Sequence, residues 1–255
     1  MCTVVTLFRP GHAWPLLLAA NRDELTDRAW SPPARHWPSR PGTTAGRDHE
    51  AGGTWLGIND SGVVAGILNR VGSLGPAHGK TSRGILPLLA LDHDTAEAAA
   101  DALTTLDGHD FRPFNMVIGD TSGAWWVRWA GNETENRPSA SPIPEGLHML
   151  TALDIDDETS PRVRRHLPLF RAAAAPAPEE NDWSGWAARL ADRSRDDINQ
   201  ESGAVLIDGP GGFATTSSSL IGLARDGRHT IWHFAAGPPD KVSFVPVSLT
   251  PTDCV

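Results

Sequence analysis

Short β-branched and apolar segments joined by tight polar turns run through most of this chain. Such turns allow only antiparallel neighbours, because a parallel partner needs a crossover of a dozen or more residues. Residues 3–8 form the first such segment, and a Pro10-Gly11-His12 turn leads to residues 16–20, ending at Asn21. Residues 54–58 and 63–68 flank Asn59-Asp60-Ser61-Gly62, a hairpin signature. Residues 115–119 and 124–129 flank a second polar turn, and residues 217–224 and 229–235 flank Asp226-Gly227. A further strand is predicted over 147–153. Helical patterns cover 82–91 with Ser82 as cap, and 95–106 with Thr95 as cap and Glu97 and Asp101 facing water. They also cover 161–175, with Pro161 first and arginines on the polar face, and 183–194. Residues 28–53, rich in Pro, Gly and Arg, read as an irregular loop. The order of strands, two helices, strands, two helices, strands predicts an α+β fold of antiparallel sheets with helices packed outside. No repeat or linker divides the chain, so 1–255 reads as one domain, with the Ala/Pro stretch 172–178 as a surface connection.

Composition narrows the function. With 40% hydrophobic and 21% charged residues, the chain is ordinary for a soluble globular protein. A net charge of −9 argues against a nucleic-acid grip, which needs a clustered basic face, and against anionic membranes. No apolar run is long enough for a membrane helix. The run 14–20 is too short for a secretory leader and is followed at once by Asn21-Arg22-Asp23-Glu24. Two cysteines, Cys2 and Cys254, are no disulfide framework. A single bridge between them is one reading; a reduced, cytoplasmic setting with a usable thiol at position 2 is the simpler one.

Met1-Cys2-Thr3 is the first place where chemistry is legible. Removal of Met1 puts an α-amine, of pKa about 7.7–8.0, on the residue whose thiol has a pKa of about 8.5. Nucleophile and general base then share one residue. A small buried residue starting a strand is the bland alternative. The hairpin brings Asn21, Arg22, Asp23 and Glu24 near Cys2. There an Asp can orient the amine, and an Arg can favour the thiolate or clamp a substrate carboxylate. A solvated strand end explains the same residues without function. Gly52-Gly53-Thr54-Trp55 is no phosphate loop, since no Gly-Lys-Ser/Thr follows. Trp55 either walls a pocket or belongs to the core. Asn69-Arg70 closes the next strand, where an Asn amide can donate to a developing oxyanion. The loop residues Trp30, Arg35, His36, Trp37 and Arg40 are placed to cover a pocket for a partly apolar acyl group.

Met-Cys at the start, Leu-Ala-Ala-Asn-Arg-Asp-Glu at 18–24, Gly-Gly-Thr-Trp-Leu-Gly at 52–57 and Asn69-Arg70 together resemble the NRDE family, also called transport and Golgi organisation type 2. Ser82-Arg83-Gly84 and Phe114-Asn115 fit the same pattern. The resemblance implies an N-terminal-nucleophile hydrolase-like fold, a four-layer αββα sandwich with two antiparallel sheets. By motif the chain is also similar to penicillin V acylases and bile salt hydrolases. On that similarity Cys2 is the nucleophile, Asp23 orients its amine and Asn69 contributes to the oxyanion hole. Arg22 is displaced, because the Arg of those acylases lies three residues before the Asp. Their second Asn falls where this chain has Leu150-Thr151-Ala152, and their late Arg where it has residues 214–218. Thr151 offers a hydroxyl in place of the amide, and a lost oxyanion donor costs roughly 10²–10³ in rate.

Two functions follow. One is hydrolysis of, or acyl transfer from, a small amide or thioester through an acyl-Cys2 intermediate, with Cys2, Asp23 and Asn69 as catalytic residues. Arg22, Asn21, Trp55, Arg70 and Thr151 then bind substrate, with no metal and no cofactor. The other is a haem or acyl-CoA carrier with a non-catalytic Cys2, for which His229 and His233 are candidate ligands; satisfied surface histidines explain that pair more simply. A purely structural role leaves the pairing of Cys2 with Asp23 unexplained. Neither oligomeric state nor substrate identity is legible.

Overall fold

The computed structural model describes residues 2–132, 135–195, 203–227 and 229–249. Met1 and Cys254 lie outside the described residues, and with them the reading of a bridge to Cys254; among the described residues Cys2 is bonded to no other cysteine. Among the described residues thirteen strands form two antiparallel sheets. The first sheet contains β1 (Thr3–Phe8), β2 (Leu16–Leu25), β10 (Gly146–Leu150), β11 (Phe213–Leu223), β12 (Thr230–Ala235) and β13 (Val245–Pro246), in the order β10-β1-β2-β11-β12-β13. The second contains β3 (Trp30–Ala34), β4 (Thr43–Asp48), β5 (Leu56–Asn59), β6 (Val64–Asn69), β7 (Phe114–Gly119), β8 (Ala124–Trp129) and β9 (Ser139–Pro142), in sequence order.

Because side chains alternate across a strand, each sheet buries both faces. Val4, Leu18, Ala20, Leu56, Leu68 and Val117 fill the space between the sheets. The outer face of the second sheet packs Phe114, Met116 and Trp129 against α1 (Ile85–Ala90) and α2 (Ala96–Thr104). The outer face of the first sheet packs Val5, Leu17 and Ala19 against α3 (Pro161–Ala172) and α4 (Ser184–Leu190). The result is four layers, αββα.

Several elements differ from the sequence reading. Residues 28–53 are not an irregular loop, since they contain β3 and β4. β3 is an edge strand, which tolerates Pro32 and Pro33, and its pairing with β4 slips between Ser31 and Ala34. β2 does not stop at Asn21 but continues through Arg22 and Asp23, all three buried. Thr95 caps α2 as expected, accepting from the Ala98 N–H. α1 begins only at Ile85, and Gly84 before it packs against the backbone of Gly53 and Thr54. The arginines of α3 do not all face water: Arg162 is 1% exposed and points into the first sheet. Among the described residues no helix is long and apolar enough to cross a membrane, and no cluster of three or more His, Cys, Asp or Glu side chains is set to hold a metal.

Candidate active site

β1 and β2 pair with Thr3 opposite Asn21, so Cys2 falls opposite Arg22. Alternation then sends Arg22 toward the space between the sheets, the side on which Cys2 packs. Asn21 and Asp23 point the other way, toward α3 and α4. The hydrogen bonds agree. Asp23 accepts from Thr215 Oγ1 at 2.7 Å and from Arg162 at 3.2 Å. Arg162 also donates to Thr3 Oγ1 at 2.9 Å. Asn21 donates to the Leu190 and Val205 carbonyls at 2.9 and 3.1 Å and accepts from Ser218 Oγ at 2.6 Å.

A run of polar residues can lie inside a buried strand because β11 answers it residue by residue. Ser218 bonds Asn21, Thr216 accepts from Arg22 at 3.1 Å, and Thr215 bonds Asp23. The register shifts between Thr215 and Ser217, a bulge that turns Thr216 toward Arg22. Thr215, Thr216 and Ser218 thus serve as hydroxyl partners of the Asn-Arg-Asp segment, in the stretch where the sequence reading noted a missing late Arg.

Cys2 is half-buried at the floor of a cavity of about 620 Å³, and its Sγ lies 3.6 Å from the Asp23 carbonyl. Burial pushes its thiol pKa up, and the Asp23 carboxylate adds to this. Arg22 and Trp55 line the same cavity, with the guanidinium stacked 4.3 Å over the indole. The ring in turn lies across Gly46, where a Cβ would collide with it. Burial lowers the Arg22 pKa, while Cys2, Glu24 and Asp48 pull it back. Asn69, at the end of β6, lines the cavity too, and its amide makes no hydrogen bond among the described residues.

Of the residues singled out from sequence, Cys2, Arg22, Asp23, Trp55 and Asn69 share this cavity. Asn21, Arg70 and Thr151 do not line it. Arg70 bonds Asn115 at 2.8 Å and pairs with Asp154 at 2.8 Å. The Thr151 hydroxyl is sealed in the interior and has no partner among the described residues, and its carbonyl accepts from Asn115. None of Trp30, Arg35, His36, Trp37 and Arg40 lines the cavity either. Trp30 packs edge-on to Trp55 and Phe234, Arg35 pairs with Asp60 and Arg40 with Asp92. His229 pairs with Asp226, and His233 packs on Trp183.

Several wall residues carried no role in the sequence reading, among them Arg28, Asp48, Glu50 and Arg83. Arg28 grips Asp48 with Nε at 2.6 Å and Nη2 at 3.1 Å, and reaches Glu50 at 3.0 Å. Burial works against the Asp48 carboxylate, but the bonds from Arg28 and the Ala51 N–H outweigh it and hold its pKa below the ordinary value. The signal for Arg28 and Asp48 lay in a stretch without apolar alternation.

This architecture, two antiparallel sheets between two helical layers, is similar in fold to that of solved amide hydrolases. An N-acylethanolamine-hydrolyzing acid amidase ortholog from Caenorhabditis elegans superposes over 86% of this chain and 92% of its own, with a TM-score of 0.54 at 11% identity. The R18L variant of conjugated bile acid hydrolase from Clostridium perfringens covers 97% of this chain and 94% of its own, with a TM-score of 0.53 at 12% identity. At such identities the likeness is one of fold. The family model described as Transport and Golgi organisation 2 matches residues 1–233, and the chain belongs to that family. The Bos taurus homolog of that protein is 33% identical over 152 residues, 54% of this chain and 52% of the relative. The Homo sapiens homolog is 33% identical over 149 residues, with coverage of 54% and 52%. The chain spans about half the length of the curated relatives it matches.

Proposed function

We propose that this protein is a cysteine amidohydrolase or acyltransferase acting on a small amide or thioester through Cys2. With Met1 removed, the α-amine of Cys2 takes the thiol proton as Sγ attacks the substrate carbonyl carbon. The tetrahedral oxyanion accepts the Asn69 amide. Its collapse breaks the C–N or C–S bond, the α-ammonium protonates the departing amine or thiol, and an acyl-Cys2 thioester remains. Water, or an acceptor nucleophile, releases the acyl group with the amine again as base. Asp23, held by Thr215 and Arg162, orients the ammonium.

What carries this reading is the position of Cys2. It lines the same cavity as Arg22 and as Asn69, whose amide is uncommitted among the described residues. A thiol whose pKa is pushed up rests protonated, so it needs a base close by, and its own amine is one. Leu25 and Leu74, 43% and 52% exposed, line the same cavity and offer apolar surface to an acyl group.

The test is incubation with a panel of activated acyl amides and thioesters, followed by peptide mapping. The expected result is an acyl adduct on Cys2 that is lost in Cys2→Ala with no change in melting temperature. Turnover that survives Cys2→Ala would sink the proposal. Stoichiometric non-covalent binding of an acyl thioester with no adduct would make the protein a carrier.

A further inference from the structure

The cations around the cavity are not equally neutralised. Arg28 is held by Asp48 and Glu50, and Arg22 lies between Asp48, Glu24 and Trp55. Among the described residues Arg112 and Lys80 meet no carboxylate, but both Nη groups of Arg112 are spent on the carbonyls of Gly72, Leu74, Gly75 and Pro76, and Lys80 donates to the His109 carbonyl. Arg83 differs. Its Nη1 donates to Ser73 Oγ and to the Pro113 carbonyl, both at 2.8 Å and both neutral. Among the described residues its Nε and Nη2 make no hydrogen bond and it joins no ion pair. Burial, with Arg112 nearby, lowers its pKa to about 10, so it stays cationic at neutral pH.

Arg83 is also held in place. The next residue, Gly84, accepts from the Thr54 N–H at 2.9 Å. It lies so close to Gly53 that a Cβ on Gly53 would collide with the Gly84 backbone. The Gly-Gly-Thr-Trp segment therefore sets Trp55 and Arg83 on walls of one cavity. With Nη1 tied down, the uncommitted Nε and Nη2 form one edge of a fixed guanidinium. Two parallel N–H donors on such an edge match the two oxygens of a carboxylate.

We infer that Arg83 recognises a carboxylate on the substrate, so that the amide or thioester attacked by Cys2 carries an acidic group seated on the Nε/Nη2 edge of Arg83. This rests on the proposed role of Cys2. A phosphate meets the same edge less selectively, and the test separates the two.

The probes are iodoacetate and iodoacetamide, which alkylate Cys2 and differ in charge at nearly equal size. Their rates are compared in the full chain and in Arg83→Gln and Arg83→Lys. The ratio of iodoacetate to iodoacetamide rate is expected to fall about tenfold in Arg83→Gln, the loss of a charge-assisted pair. In Arg83→Lys, which keeps the charge without the fork, it is expected to fall about threefold or less. The iodoacetamide rate and the melting temperature report whether each variant is folded. Butyrate should protect Cys2 better than butyramide or butyl phosphate. An unchanged ratio in a folded Arg83→Gln overturns the inference, as does equal protection by butyramide or better protection by butyl phosphate. Alkylation needs no acyl transfer. An anion preference without an acyl adduct would therefore disprove the catalytic role while keeping the carboxylate site, and an adduct without the preference would do the reverse.

Discussion

Replacing Asn21 with leucine separates a structural role from a substrate-binding one. The Asn21 amide donates to the carbonyl of Leu190, at the end of α4, and to that of Val205, and its oxygen accepts from Ser218. The last carbonyls of a helix have no partner within it, so Asn21 ties α4 to the first sheet. Asn21 is 1% exposed, and water does not replace it. Leucine would leave two carbonyls and one hydroxyl buried, each costing about 1–3 kcal/mol. Some relaxation is certain, so the net loss should be about 3–5 kcal/mol. For a domain of this size 1 kcal/mol moves the melting temperature by roughly 2–4 °C. A drop of about 8–15 °C in calorimetry is therefore expected, with the rate of Cys2 alkylation by iodoacetamide within about twofold of wild type at a temperature where both are folded. A melting temperature within about 3 °C of wild type, accompanied by loss of acyl transfer, would refute this reasoning and put Asn21 on the substrate.

Thr151→Val should leave thermal stability unchanged or raise it by up to about 1 kcal/mol, because the buried hydroxyl has no bond among the described residues; a large fall in acylation rate in that variant would instead make Thr151 a donor to the oxyanion. The pH profile of Cys2 alkylation should inflect above the ordinary thiol value of about 8.5. The inflection should move down in Asp23→Asn, since burial and the Asp23 carboxylate both favour the protonated thiol; an upward move contradicts this. Asp48 has a depressed pKa, so its contribution to stability is present above the unfolded carboxylate value and is lost as pH falls through the folded one. Acid titration of the melting temperature should accordingly flatten in Asp48→Asn. Gly53→Ala should cost about 1–3 kcal/mol through the collision with Gly84, and should reduce the iodoacetate preference set by Arg83.

Much of the fold was legible where apolar alternation and turn chemistry agreed. β1, β7 and β8 follow their patterns, and Thr95 caps α2. The failures have a common cause, namely partners remote in sequence. β2 continues through Asn21, Arg22 and Asp23 because hydroxyls nearly two hundred residues away, together with Arg162, satisfy them. β4 reads as a loop because Gly46 and Asp48 are not apolar, yet Gly46 makes room for Trp55 and Asp48 anchors Arg28. Arg162 follows a polar helical pattern, but its burial depends on Asp23 and Thr3, which the helix itself does not announce. Cys2, Asp23 and Asn69 stood out as a constellation by family resemblance. Arg83 stood out only as part of a motif, since an unpaired guanidinium is a property of its surroundings.

The central claim, an amino-terminal cysteine whose own amine serves as base, is tested most directly by the intact mass of the protein that performs acyl transfer. The account predicts a mass lacking Met1, and loss of the acyl adduct when a residue is inserted ahead of Cys2 so that its amine becomes an amide. A chain that keeps Met1 and still forms the Cys2 adduct at an undiminished rate would contradict it.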